Sequence, residues 1–402
     1  MEYLLPYGLE WANLLVRWLH IITGIAWIGA SFYFVWLDNS IRPPVPGSDL
    51  AKKGVSGELW AVHGGGFYNP QKYLVAPAEL PKELHWFKWE AYTTWLSGFA
   101  LLTIAYYFNA QAMMVDKQVA DLTSLQAVGI GIGSLVAGWV VYDVLCRSPL
   151  GKDEKWLGLV VFLLLVGAAY GLTQVLSGRA AFIHIGAMIG TIMVANVAML
   201  IIPGQRKMVQ AMQAGGLPDP VHGIKAKQRS VHNNYFTLPV LFIMISNHYA
   251  MTYQHKYAWL VLGFIMAAGV FIRHFFNLRH KGRIEWRYPA IGMALLLAVA
   301  VAIAPPKPAP VKAAADPAAQ FAKVKAIIDA RCVSCHSASP TQPGFATAPA
   351  GVLLDTPDQV RQRAAQIHKR AVELKDMPIA NLTNMTDAER AELGAWFAAG
   401  AK

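Results

Sequence analysis

Cys332, Cys335 and His336 stand in the order Cys-x-x-Cys-His. Each thiol in such a motif can form a thioether with a haem vinyl group, and the adjacent imidazole is then held under the iron. This is the attachment chemistry of a c-type haem. A bare Cys-x-x-Cys pair would serve a redox dithiol or half a zinc site. The chain has only three cysteines, so no second pair completes a zinc site. A sixth iron ligand is expected downstream. Met377 precedes Pro378, whose ring stiffens the backbone, and is preferred to its rival Met385. A thioether ligand raises the potential and favours accepting electrons. The expectation is one covalent haem c, attached by Cys332 and Cys335 and ligated by His336 and Met377.

Two helices must position these groups. Phe321, Val324, Ile327 and Ile328 recur at helical spacing before the motif. Thr386 begins Thr-Asp-Ala-Glu, an N-cap with an acidic first turn, and Leu393, Trp396 and Phe397 follow on one face. Two terminal helices crossing beside a haem resemble the class I cytochrome c fold, over residues 316–402.

The rest of the chain is of another kind. Of 402 residues, 55% are hydrophobic and 15% charged, and mean hydropathy is +0.35. Such values mark a membrane protein. Eight apolar stretches, at 11–37, 89–110, 122–146, 156–176, 180–202, 235–253, 257–278 and 288–304, approach the roughly 20 residues a bilayer crossing needs. The first sixteen residues lack Lys and Arg, unlike a cleavable signal peptide. The fold class expected is all-α: an eight-helix transmembrane bundle (1–304), a Pro- and Ala-rich linker (305–315) and a cytochrome c domain (316–402).

Net charge is +11, and its placement matters more than its size. Residues 316–402 are nearly neutral. The odd-numbered loops collect the excess, with Lys52, Lys53, Arg147, Lys152, Lys225 and Arg283 among many. The opposite side carries Lys117, Arg179 and Lys256. Positive loops stay in the cytoplasm, so both termini and the Cys motif fall outside a bacterial inner membrane, the face where c-type haem is attached. The basic balance reports topology, and nucleic-acid binding has no support. Cys146 reads as a free thiol.

Histidines inside the spans argue against a simple anchor, because ionisable groups in a bilayer are functional by default. His20, His184 and His248 lie in the outer half; His63, His85, His232 and His274 lie inward with Arg273 and Glu90. His20 has Gly24 one turn on, where a porphyrin could approach. Its helix resembles that of small membrane haem-b proteins. A b haem on His20, with His184 ahead of His248 as partner, is one expectation; helix–helix hydrogen bonding is the other. The first inner loop reads Trp60-Ala-Val-His-Gly-Gly-Gly-Phe-Tyr68 and Leu84-His-Trp-Phe-Lys-Trp-Glu-Ala-Tyr92. Its flat aromatics, Lys, Glu and His could stack on a planar heterocycle and move its protons, or could form an interfacial aromatic belt.

These two strings, Arg229-Ser-Val-His-Asn-Asn-Tyr235, and the Cys-x-x-Cys-His tail with Met377-Pro-Ile-Ala-Asn resemble the membrane-integral, cytochrome c-dependent urate oxidases along nearly the whole chain. The resemblance implies oxidation of urate to 5-hydroxyisourate in the membrane domain. Electrons would pass to the fused cytochrome and on to a respiratory-chain acceptor, such as a soluble cytochrome c or a terminal oxidase, rather than directly to oxygen. It also implies an inner-side site. Lys88 and Arg273 would neutralise the urate anion, Trp86, Trp89 or Tyr68 would stack on it, and His232 would contact it. His85, His63 or Glu90 would act as base. The competing expectation is a non-catalytic electron conduit for a separate dehydrogenase or quinol.

Overall fold

The computed structural model describes residues 4–304, 316–345 and 347–401, so the linker expected at 305–315 lies outside them. Helix dominates. Eight longer helices form the first part: α1 (Leu4–Ser40), α2 (Trp89–Leu102), α3 (Ser124–Arg147), α4 (Glu154–Thr173), α5 (Gly178–Ala195), α6 (Pro220–Ser246), α7 (Ala258–His280) and α8 (Arg287–Ala302). Each expected apolar stretch overlaps one of them. Their starts are written in the sequence. Thr123 and Gln126 form a capping box for α3, and Asp153, Ser177 and Asp219 cap α4, α5 and α6 with side-chain oxygens.

Among the described residues, five helices are long and apolar enough to cross a bilayer: Tyr7–Ser40, Ser124–Arg147, Glu154–Thr173, Gly178–Gln213 and Ala258–His280. Three of the eight expected spans depart from that description for visible reasons. α2 breaks into a π turn at Thr103–Tyr107. α6 starts fifteen residues before the expected 235, and its early turns carry Gln228, Arg229, His232 and Asn233. α8 has only 16 residues. α5 also passes through a π turn, Asn196–Ile201, before continuing as Ile202–Gln213. Such turns insert a residue, re-aim side chains and often mark functional sites.

The core lies between α3, α4, α5 and α6, where Phe182, Ile185, Ile189, Leu157 and Ile243 are fully enclosed. α1 packs chiefly on α2, and α7 on α8. Trp18, Ile25 and Leu14 stay exposed on α1, as expected of a surface facing lipid hydrocarbon.

Loop 41–88 corrects the all-α reading. It holds two small antiparallel sheets, β1 (Val55–Glu58) with β4 (Gln71–Tyr73) and β2 (Ala61–His63) with β3 (Gly66–Tyr68). The triple glycine makes the second hairpin: Gly64 and Gly65 have φ of 57° and 81° between the paired His63 and Gly66. Positive φ at both central residues is the hairpin turn that matches strand twist, and glycine adopts it without strain. The loop is tied down where Asp38 of α1 pairs with Lys72 and with Lys227 of α6.

The C-terminal module has its own core. α9 (Pro317–Arg331) is capped by Asp316, and α10 (Asp387–Ala398) by the Thr386–Glu389 capping box. Val324, Ile328, Leu393 and Trp396 are buried together, so the expected apolar faces do meet. The module rests on the first part of the chain: Leu374 packs against the core of the longer helices, and Thr347 Oγ1 donates to Glu10 Oε1 at 3.0 Å.

Candidate functional site

The Cys motif closes a turn at the end of α9. The Cys335 and His336 amides both donate to the Cys332 carbonyl, at 3.1 and 2.9 Å. His336 Nδ1 lies 3.1 Å from the Val352 carbonyl, so that nitrogen carries the proton and Nε2 keeps its lone pair. Both motif cysteines are free. Burial, with the Cys335 thiol beside it, pushes Cys332 up to about 12; burial also raises Cys335 and lowers His336. Protonated thiols next to a neutral imidazole with a free lone pair have the donor chemistry a c-type haem requires. Met377 is half-buried on the following loop, its carbonyl accepting from Arg390 Nη1 at 2.8 Å. Met385 is only 3% exposed and fills the core beside Ile328 and Leu393.

The residues expected to form the inner-loop site do not converge. His63 is exposed at the hairpin tip and Tyr68 at its base. His85 is exposed and stands T-shaped to Phe87, with ring centroids 4.6 Å apart. Lys88 Nζ sits 5.6 Å from the Trp89 ring, which is itself 65% exposed. Trp86 turns away to pack near Val194 and Val197. Glu90 offers its carbonyl to Thr94 Oγ1 at 2.6 Å. The glycines serve the hairpin turn, so their presence carried no information about a ligand.

The outer histidines occupy separate places. His20 Nδ1 lies 3.0 Å from the Thr94 carbonyl and packs on Gly98, where any Cβ would stand 2.8 Å from the ring. His184 is fully enclosed; its Nδ1 faces the Ala180 carbonyl at 2.7 Å and its Nε2 the Tyr107 hydroxyl at 3.3 Å. A Cβ at Gly131 would fall 2.4 Å from that Nε2. His184 therefore offers no open nitrogen to an iron, and the expected His20–His184 b-haem pairing does not fit this packing. His248 is exposed.

What the helices do bring together is two buried polar layers, each built around an arginine. Arg229 of α6 donates to Asp143 Oδ1 at 2.7 Å and to Asn196 Oδ1 at 3.2 Å, and lies 4.9 Å over the Tyr142 ring. Asn196, at the start of the π turn in α5, donates to the Tyr142 hydroxyl at 3.1 Å. That hydroxyl is 2.7 Å from His232 Nδ1, and His232 Nε2 is 2.9 Å from Glu154 Oε2. The chain of donors assigns the proton on His232 to Nε2. His232 is thus a member of a closed network.

The second layer is not fully bonded. Arg273 of α7 donates through Nε to Asn234 Oδ1 at 2.9 Å, and Asn277 Nδ2 donates to the same oxygen at 3.0 Å. The Arg273 guanidinium lies 4.2 Å over Phe32 of α1. These bonds fix both amides, so Asn234 Nδ2 and Asn277 Oδ1 must point elsewhere. Among the described residues five buried side-chain polar atoms lack a hydrogen-bond partner: Asn234 Nδ2, Arg273 Nη2, Asn277 Oδ1, His280 Nδ1 and Asp376 Oδ2. The last faces Arg370 Nη2 at 2.6 Å. Three of the other four gather at one place, because Arg273 and Asn277 stand one turn apart on α7 and Asn234 bonds both; His280 lies about a further turn along the helix. Arg273, Asn234 and Asn277 are 5%, 0% and 8% exposed, and no described ion pair includes Arg273. Tyr235, next to Asn234, holds its hydroxyl 2.6 Å from His274 Nδ1, and His274 meets Tyr288 of α8 edge-on at 4.4 Å.

A family model described as urate oxidase N-terminal matches residues 6–304. The chain belongs to that family. Membership assigns it to urate metabolism, among oxidoreductases acting on urate. Comparison with curated proteins gave no match, and neither did comparison with solved structures. Both arginine layers lie within the urate oxidase region, and the Cys motif lies beyond it. Sequence reasoning found Arg273 and His232 but gave Asn234, Asn277, Tyr142 and Asn196 no role. The signal available for them was several polar residues in apolar helices, where each must find a partner or a ligand.

Proposed function

We propose that this protein is a membrane-embedded urate oxidase that works as a dehydrogenase. Urate is oxidised to 5-hydroxyisourate within the eight-helix part, and the electrons leave through the C-terminal module toward the respiratory chain. The observation that carries this reading is the incompletely bonded layer around Arg273 in a chain of the urate oxidase N-terminal family. A buried guanidinium without a carboxylate is costly, and a planar purine anion supplies the missing charge. The free amide groups beside it offer directional bonds that hold the ring.

The reaction balances without oxygen: urate and water give 5-hydroxyisourate, two protons and two electrons. Arg273 stabilises the bound anion, and the low-dielectric surroundings strengthen that interaction. His274, which follows Arg273 in the chain, hydrogen-bonds Tyr235 and stands beside Tyr288, would take the proton. Cys332, Cys335 and His336 would hold a c-type haem, with Met377 as the loop ligand, and that group supplies a one-electron carrier. Loop charge supports an inner-membrane placement with both termini and the cytochrome module in the periplasm.

The test is product formation by purified full-length protein in detergent, with an artificial acceptor and oxygen removed. Urate consumption with 5-hydroxyisourate formation and no hydrogen peroxide is expected. Turnover that demands oxygen and releases peroxide would refute the reading.

A further inference from the structure

We infer that the Asn234–Arg273–Asn277 layer reads one particular edge of the oxidised purine: the imide edge of the six-membered ring, formed by the C2 carbonyl, N1–H and the C6 carbonyl. The inference rests on the reading above that urate is the substrate, and it adds which part of urate is recognised. The three unmatched atoms comprise two donors, Asn234 Nδ2 and Arg273 Nη2, and one acceptor, Asn277 Oδ1. The imide edge offers the complementary inventory, two acceptors and one donor. The opposite edge of urate, with N7–H, the C8 carbonyl and N9–H, presents two donors and one acceptor, and so would leave like facing like.

The hydrogen bonds within the layer make this set rigid. Asn234 Oδ1 is occupied by Arg273 Nε and by Asn277 Nδ2, so neither amide can flip without losing a bond. Arg273 cannot give up its proton, so its side is always a donor. The urate monoanion, deprotonated at N3, keeps N1–H and places negative charge next to the C2 carbonyl. A guanidinium donor on that edge therefore meets charge as well as shape. Recognition by buried groups that can be satisfied in one way only is the arrangement that discriminates most strongly against an analogue lacking the partner atom.

The experiment is displacement of radiolabelled urate from the full-length holoprotein, pre-reduced with dithionite so that no turnover occurs, by 1-methylurate, 7-methylurate and 9-methylurate. Methylation at N1 removes the donor and leaves Asn277 Oδ1 unpaired, so 1-methylurate is expected to bind about 10- to 100-fold more weakly than urate. The 7- and 9-methyl isomers should lose less. In Asn277→Ala the gap between urate and 1-methylurate should narrow toward unity. If 1-methylurate binds as tightly as urate, or loses no more than 7-methylurate, the edge assignment is overturned. If the variant does not fold, the wild-type series still decides. Urate that neither binds nor is consumed would instead overturn the reading beneath.

Discussion

Two arginines buried on neighbouring helices are treated in opposite ways. Arg229, 2% exposed, has Asp143 for its charge, Asn196 Oδ1 as a further acceptor and Tyr142 beneath it. Arg273, 5% exposed, has an amide oxygen, an aromatic face and, among the described residues, no carboxylate. The first layer is finished by the protein and so reads as structure. The second needs a negatively charged, hydrogen-bonding guest to finish it. Burial and charge alone do not mark a site; unmatched burial does.

The largest effect should come from the unfinished side. Arg273→Met removes the charge a urate anion would meet, and urate-dependent activity should fall at least about 100-fold. Thermal stability should stay level or rise, since an uncompensated buried charge has gone. A steep loss of stability with urate affinity intact would break the comparison. Asp143→Ala should do the reverse. It strands the Arg229 guanidinium and should cost about 3 kcal/mol, read as a lower thermal midpoint, while urate affinity of the folded fraction changes less than about threefold. Tyr142→Phe takes a hydroxyl that serves Asn196 and His232 together, and should cost about 2 kcal/mol in the same assay.

The C-terminal module provides the smallest contrast. Thr386→Ala deletes the N-cap of α10 and should lower that module's stability by about 1 kcal/mol. Its partner Glu389 adds a pH signature. Slight burial opposes ionisation, but hydrogen bonds from Thr386 and the Arg331 guanidinium hold its carboxyl below the ordinary 4.5. The folded state therefore binds that proton less readily than the unfolded chain. The stabilisation is complete above about pH 4.5 and is lost as acid carries the pH down through the lowered value. Acid melts of wild type and Glu389→Gln should converge at the low end; curves that stay parallel would contradict this. Salt should shrink the difference, because the pair is near the surface.

The two regions were also unequally legible in the sequence. In the C-terminal module, Val324, Ile328, Leu393 and Trp396 were placed by helical period alone, and the burial pattern follows it, because both helices have one apolar and one polar face. The positions of the longer helices could likewise be read from hydropathy. The inner-loop site could not. Triple glycine fits a ligand cradle and a hairpin turn equally well, and only the φ values at Gly64 and Gly65 separate them. The Arg273 layer was half legible. Rise per residue sorts side chains by depth in the bilayer but says nothing about which way they face around the helix. By depth Arg273 falls with His63, His85, His232, His274 and Glu90, whereas the fold pairs it with Asn234 across α6 and α7. His184 shows the same limit: its depth suited an iron ligand, but Tyr107 and the close backbone at Gly131 take up the nitrogen an iron would need.

The central claim is that urate gives its electrons to the protein itself. The most direct measurement is rapid mixing of purified full-length protein with urate in the absence of oxygen, following the haem absorption bands, with Arg273→Met in parallel. The account predicts reduction of a c-type spectrum by urate in the wild type, and in the variant reduction by dithionite but not by urate. A wild-type protein whose c-type bands respond to dithionite and ignore urate would contradict it.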